Sequence, residues 1–476
     1  MAATSLLSLY HRLPPPARSA VATARGLYLR SWRYGSDTDR IVAEALARDH
    51  EPPERLAQYR QERLRAVLER AATRVPYYRD QWAARRRQGD RSSWERLEHW
   101  PILDKNEVRV APERFVADDC DRRRMFDEHT SGTTGTPLTL WWSRRTVRTW
   151  YGLAEARWRK WYNVSRHDRW AILGGQLVTP VSATRPPYWV WNPALRQLYM
   201  SSIHLSPSTV RDYASALERY RVRYLFGYPS ALASLAQEIL WSGLTAPPMT
   251  VAITNAEPLF EHQRQVIRDA FHCDVRETYG MSEIVAAAGE CEHGRLHLWP
   301  EVGVVEVMNG GEPVPDGTAG DLVCTGLLNI DMPLIRYRNG DRGALLPASP
   351  CACGRTLPAI AGIDGRSDDV VITPSGRSIG RLDTVFKHDL PVREAQIVQD
   401  RIDRLRVRYV PGPGFGAETE AGLIESVRRR VGDMTIVPER VDRIARTANG
   451  KFRAVISELP PETIGQVRAR ARGEHV

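Results

Sequence analysis

Between about residues 165 and 285, short apolar runs alternate with stretches whose apolar positions recur at helical spacing. RWAILGG, VRYLFGY, MTVAITN and VRETYG are bounded runs of strand length. YASALERY, SALASLAQEIL and EHQRQVIRDAF read as helices between them. Strands separated by helices of this length predict a parallel, doubly wound sheet. Residues 1 to about 100 read differently, as helices broken by short loops. In PPERLAQYRQERLRAVLERAATRV, Leu56, Leu64, Val67 and Leu68 fall on one side, and Pro76 ends the run. From about 295 to 345 the pattern turns β-rich: LHLWPEVGVVEVM alternates, and NGGEPVPDGTAG carries dense turn chemistry. After about residue 370 a smaller unit of mixed strand and helix follows (REAQIVQD, LRVRYV, ETEAGLIESVRRRV), interrupted by PGPGFG.

At 476 residues the chain is long enough for about two to four folding units. With 42% hydrophobic and 26% charged residues, its composition is that of an ordinary globular protein. No apolar run approaches the roughly 18–20 residues a spanning helix needs, so a soluble, cytoplasmic protein with no membrane partner is expected. The net charge of +10 attracts anions in general. Of the 67 basic residues only Lys105, Lys160, Lys387 and Lys451 are lysine, and the arginines are interleaved with acids, as on a solvated face. A nucleic-acid partner is therefore not expected. The scarcity of lysine makes each one a candidate for a position that requires an ammonium.

Eight of the fourteen tryptophans lie between Trp141 and Trp191, and spacings of eight and three put Trp150, Trp158 and Trp161 on one helical stripe. They form an aromatic core, and one or two of them could wall an apolar ligand pocket.

His129 to Pro137 reads H-T-S-G-T-T-G-T-P, two glycines and five hydroxyls between a predicted strand and LTLWWS. Such a loop offers backbone N–H groups and hydroxyls to a polyphosphate. It is not a Walker A loop, because no Lys-Ser or Lys-Thr follows the second glycine.

S-G-T-T-G-T-P resembles the phosphate loop of the adenylate-forming enzymes, which include acyl- and aryl-CoA ligases, peptide-synthetase adenylation domains and luciferases. Further motifs agree in order. Asn255-Ala256-Glu257-Pro258 resembles the nucleotide-side loop, and Tyr279-Gly280-Met281-Ser282-Glu283 the adenine and magnesium motif. Tyr337-Arg338-Asn339-Gly340-Asp341 is similar to the ribose-binding segment. Gly365-Arg366-Ser367-Asp368-Asp369 resembles the motif before the inter-domain hinge, and Thr447-Ala448-Asn449-Gly450-Lys451 the loop bearing the reactive lysine. VPYYR, PILDKNEVR, PLIRYRNGD and CACGRTLPAI resemble the phenylacetate–CoA ligase branch and its capsule-biosynthesis, CapK-like relatives. Gly227-Tyr228-Pro229-Ser230 resembles their acyl-site turn.

The resemblance implies an α/β fold. A large N-terminal domain, residues 1–367, would bind ATP and acid, with a β-rich subdomain at about 290–360. A small α+β domain, residues 368–476, would carry the lysine, with Asp368, or alternatively Asp369, as the hinge pivot. It implies that a carboxylate attacks the α-phosphate of ATP, so charge growing in the transition state must be neutralised. Thr130, Ser131, Gly132, Thr133, Thr134 and Gly135 would cradle the phosphates, and Glu283 would hold Mg²⁺. Tyr279 and Gly280 would face adenine, Asp341 and Arg366 the ribose or a phosphate, and Lys451 the acyl and α-phosphate oxygens. Read alone, Glu283 could cap a helix, Asp341 and Arg366 could sit in surface ion pairs, and Lys451 could be exposed. Lys105 reads as structural. The expected substrate is a small aromatic or apolar carboxylic acid, and the acceptor is CoA or an amine. Activation of another oxyanion is a further reading, and a homodimer is one compatible assembly.

Six cysteines are too few for a disulfide framework. Cys291 and His297 in C-E-H-G-R-L-H, with Cys351 and Cys353 in C-A-C-G-R, suit structural Zn²⁺, with His293 competing as fourth ligand. Four reduced, unliganded side chains are the alternative. Cys120, Cys273 and Cys324 have no partner spacing.

Overall fold

The computed structural model describes residues 2–129, 138–174, 176–366, 371–374, 378–379, 382, 391–446, 452–460, 462–463 and 466–467. Among these, thirteen strands form one continuous sheet. Its parallel part runs Gln197–Ser201, Trp170–Gly174, Tyr224–Gly227, Val251–Thr254 and Asp274–Gly280 in spatial order, with Trp189–Asn192 antiparallel at the edge. The apolar runs of the sequence are these strands. Leu173, Leu225, Ala252 and Val275 pack in one core with the inner faces of helices Val210–Arg219, Pro229–Trp241 and Glu261–Phe271. Strands covered on both faces read as continuous apolar runs.

From Asp274–Gly280 the sheet continues antiparallel through Ala287–Glu290, Leu296–Leu298, Ala359–Arg366, Tyr337–Leu345, Gly320–Gly326 and Gly303–Asn309. This is the β-rich stretch. Helix Pro53–Arg74 lies against the same body and buries Leu56, Val67 and Leu68, with Leu64 partly covered; Pro76 starts the next helix, Pro76–Arg87. Proline at the first helical turn costs nothing there because its missing N–H would be unpaired anyway.

Residues from Val392 onward build a separate four-stranded sheet, in the order Thr435–Arg440, Arg404–Pro411, Val392–Arg401, Val455–Ser457. Helix Ala417–Val431 covers it through Leu423 and Val427. An α/β body joined to a small α+β unit is the architecture expected from the sequence.

Two features differ from expectation. The strands Trp189–Asn192 and Gln197–Ser201 have no counterpart in the sequence reading. The helix carrying Trp150 ends at Trp158, because Arg159 leaves helical geometry at φ −133°. Trp161 therefore sits in a separate turn, Lys160–Tyr162, rather than on a common stripe.

Candidate functional site

One cavity of about 2590 Å³ opens at the C-terminal ends of the parallel strands, where ligands bind in open α/β sheets. Its lining unites four of the sequence motifs: Gly227 and Tyr228, Asn255 to Pro258, Tyr279 to Glu283, and Asn339 with Asp341. Gly227 ends its strand where a Cβ would lie 2.6 Å from the Leu173 carbonyl oxygen, so the neighbouring strand requires glycine. Pro229 then opens the helix Pro229–Trp241. Gly280 meets a different wall, where a Cβ would stand 3.2 Å from Trp158 and 3.3 Å from Trp150. Those two rings pack edge to face at 5.5 Å and line the cavity with Phe226. Two of the three tryptophans thus reach the pocket. Trp161 instead bonds Asp49 through Nε1 at 2.7 Å.

Tyr279 is buried, and its hydroxyl donates to Asp341 Oδ2 at 2.8 Å while accepting from Asn339 Nδ2 at 2.8 Å. Burial and the Asp341 carboxylate push the phenol well above its ordinary pKa, so it remains a donor. Asp341 is the cross-strand partner of Arg366, which brings the two ribose candidates into register from 25 positions apart. Nothing is described of the Arg366 side chain.

Glu283 is buried, and its Oε1 accepts from Lys105 Nζ at 3.0 Å and from the Tyr337 hydroxyl at 3.0 Å. The second oxygen takes no hydrogen bond among the described residues. The carboxylate is therefore held by one oxygen in a cavity-lining position, a donor that fits Mg²⁺. Lys105, read from the sequence as structural, lines this cavity. The rarity of lysine was the signal that could have placed it here.

Glu257 does something the sequence did not indicate. Its carboxylate accepts from the Ser230 N–H at 3.1 Å and from the Phe452 N–H at 2.7 Å. Burial raises its pKa against the pull of those donors. One carboxylate thus ties the Gly227–Ser230 turn to the residue that follows Lys451. On the other side of the lysine loop, Arg446 pairs with Glu394 and lies over the Phe452 ring at 4.6 Å. Arg393 pairs with Glu238 at 2.8 Å, a second tie between the small unit and the body. Thr130, Ser131, Gly132, Thr133, Thr134, Gly135, Ser367, Asp368 and Lys451 lie outside the described residues.

The cysteine constellation forms a second centre. The donor atoms of Cys291, His297, Cys351 and Cys353 all lie within 4.8 Å of one another, and His293 is not among them. Cys291 and Cys351 sulfurs are 3.8 Å apart, and His297 Nε2 is 3.4 Å from Cys353 Sγ. His297 Nδ1 faces the Leu357 carbonyl at 3.2 Å, which assigns the proton to Nδ1 and leaves Nε2 for a ligand. Burial lowers the imidazole to about 4, so the ring is neutral. Three thiols and one neutral imidazole converging this closely could hold a tetrahedral metal. All four cysteines and histidines of the set were named from the sequence. Cys273 and Cys324 are simply buried, as expected, and Cys120 is half-buried.

Comparison with known proteins gives a consistent set of relatives. Residues 371–458 match the CapK C-terminal domain family. Protein CapK of Staphylococcus aureus is 24% identical over 365 residues, 75% of this chain and 80% of its own. Phenylacetate-coenzyme A ligase of Thermus thermophilus is 28% identical over 339 residues, 67% of this chain and 72% of its own. Among solved structures, 2-hydroxyisobutyryl-CoA ligase in the postadenylation state with 2-HIB-AMP superposes with a TM-score of 0.66 at 21% identity. That match covers 90% of this chain and 94% of the ligase. The same ligase with 2-HIB-AMP and CoA in the thioesterification state gives 0.51.

Proposed function

We propose, from the premise that this chain belongs to the adenylate-forming superfamily on the branch that holds CapK and the phenylacetate–coenzyme A ligases, that it is an AMP-forming acid ligase. It activates a small apolar or aromatic carboxylic acid as its adenylate and passes the acyl group to CoA. The observation that carries this reading is the Glu257 bridge. It holds Phe452, the residue that follows Lys451 in sequence, at a cavity lined by Tyr279, Glu283 and Asp341.

In this reading the acid lies against Trp150, Trp158 and Phe226, with its carboxylate toward the nucleotide. Tyr279 presents a ring face to adenine, and Asp341, fixed by the Tyr279 hydroxyl, accepts from the ribose hydroxyls. The Thr130–Gly135 loop donates to the phosphates. Lys451 stabilises the negative charge that develops as the acid oxygen bonds to the α-phosphorus and pyrophosphate leaves. Glu283 would hold Mg²⁺, which neutralises phosphate charge when bound. Lys105 holds Glu283 in place through its 3.0 Å contact. The division at residues 367 and 368 belongs to the same proposal. It is supported by the end of the large sheet at Arg366 and the start of a separate sheet at Val392. Transfer to an amine acceptor without CoA is the second reading, supported by nothing specific to this site. AMP release across a panel of acids, with and without CoA, separates the two. Release that depends on both acid and CoA is the expected result.

We further propose that Cys291, His297, Cys351 and Cys353 hold one structural Zn²⁺. The loop of Cys351 and Cys353 packs on the N-terminal helices, where Thr356 bonds the Asp49 and Glu51 carbonyls and His50 bonds that of Gly354. Metal binding contributes directly to folding free energy. Elemental analysis should find one zinc per chain, and Cys353→Ser should lower both metal content and melting temperature. Metal-free protein of unchanged melting temperature would contradict the assignment.

A further inference from the structure

The first two helices, Ala2–Arg12 and Pro15–Arg33, stand apart from the rest of the molecule in composition and in exposure. Among the described residues eleven large hydrophobics are exposed, and six of them fall here: Leu6, Leu7, Leu9, Val21, Leu27 and Tyr28. Leu6 is 67%, Leu9 59% and Leu27 57% exposed, a concentration that ordinary scattered surface leucines do not show. No acidic residue precedes Asp37, yet the segment carries Arg12, Arg18, Arg25, Arg30 and Arg33. Elsewhere in the chain arginines are interleaved with acids.

The pair of helices is fixed rather than trailing. Tyr10 donates to the Val178 carbonyl at 3.1 Å, His11 Nε2 meets that of Leu177 at 2.8 Å, and buried Arg18 reaches Val178 at 3.4 Å. Gly26 lies so close to Asn192 that a Cβ would stand 2.3 Å from its Oδ1. With the inner face tied down in this way, the leucines and Arg12, Arg25 and Arg30 are held outward, while Arg18 is buried and Arg33 lies over the Tyr151 ring. Leu6, Leu9, Val21 and Arg25 also line the cavity that holds Tyr279 and Glu283.

We propose that this helical pair seats the protein on an anionic lipid surface, lying on the bilayer rather than crossing it, with the mouth of the cavity turned toward the membrane. Leucines enter the acyl boundary while arginines meet anionic headgroups, the pattern of an interfacial amphipathic element. The charge selects the partner. A neutral protein surface would not call for a run of arginines without a single acid, and an anionic bilayer does. The consequence is that an amphiphilic acid or acceptor can reach the cavity directly from the bilayer.

The test is co-sedimentation of the full chain with vesicles of phosphatidylcholine alone or mixed with phosphatidylglycerol. Binding to the mixed vesicles should be at least about tenfold tighter and should weaken as salt rises. Leu6→Asp combined with Leu9→Asp should abolish it at unchanged melting temperature. Should that variant unfold, Arg12→Ala with Arg30→Ala should lower binding to the mixed vesicles toward the neutral level. Equal binding to both vesicle types, or no binding to either, overturns the proposal. So does a wild-type dimer, seen by sedimentation velocity, that the leucine variant dissociates, because the face would then belong to a second copy. None of these readings depends on ligase activity.

Discussion

Replacing Lys451 with alanine is expected to lower acid-dependent ATP–pyrophosphate exchange by about 10²–10³, a loss of roughly 3–4 kcal/mol from the transition state. Two anions meet in adenylation, and the charge between them peaks as the acid oxygen bonds to phosphorus. The contact is thus worth more in the transition state than in the ground state, and kcat should fall more than KM rises. Glu257 holds Phe452 at the cavity through a 2.7 Å bond, and Arg446 braces the Phe452 ring. Phe452, which follows the lysine in sequence, is thus anchored at the cavity. Lys451→Arg should recover little, because a planar fork does not replace a compact ammonium that touches two oxygens at once. Glu257→Gln is the companion variant: weakening the tether should reduce exchange less than Lys451→Ala does. Near-normal exchange in Lys451→Ala would remove the lysine from the chemistry.

The second large effect is on stability. Arg157 is fully buried and donates to Asp49 at 2.8 Å and to both oxygens of Glu301 at 2.7 and 3.0 Å. Arg48 adds a 2.7 Å bond to Glu301, and Trp161 a 2.7 Å bond to Asp49. Two positive and two negative groups balance inside the body. Arg157→Met should cost about 3–5 kcal/mol, because it strands two buried carboxylates with one arginine. The triple variant Asp49→Asn, Arg157→Met, Glu301→Gln removes the three buried charges and leaves only the partly exposed Arg48, so it should cost less than Arg157→Met alone. Denaturant midpoints of both variants check this. A loss below about 1 kcal/mol in Arg157→Met would mean that the cluster does not hold the body together. The cluster matters to the site because Trp158, the next residue, walls the cavity.

Local signals made much of this legible. The parallel sheet was readable because each buried strand is one apolar run, and the helices between them keep their spacing. The converging cysteine–histidine set was readable because Cys291 with His297, and Cys351 with Cys353, are close in sequence, and few other cysteines compete. What escaped is contact at long separation. Lys105 and Glu283 are 178 positions apart, Glu257 and Phe452 are 195 apart, and Arg157 and Glu301 are 144 apart. No periodicity links such pairs, since only the fold brings them together. Trp189–Asn192 and Gln197–Ser201 escaped for another reason. They are joined by a short turn, with no helical stretch between them to set them off as separate runs. Trp161 was misplaced because a helix end at Arg159, without glycine or proline, leaves no mark in the sequence.

The central claim is that an acid oxygen bonds directly to the α-phosphorus of ATP. The direct measurement is isotope transfer. The cognate acid is supplied with both carboxylate oxygens as ¹⁸O, the full reaction is run with CoA, and the recovered AMP is weighed by mass spectrometry. Passage through an acyl-adenylate predicts AMP carrying one ¹⁸O and a thioester retaining the other. Unlabelled AMP, or label appearing instead in inorganic phosphate alongside ADP, would contradict the account.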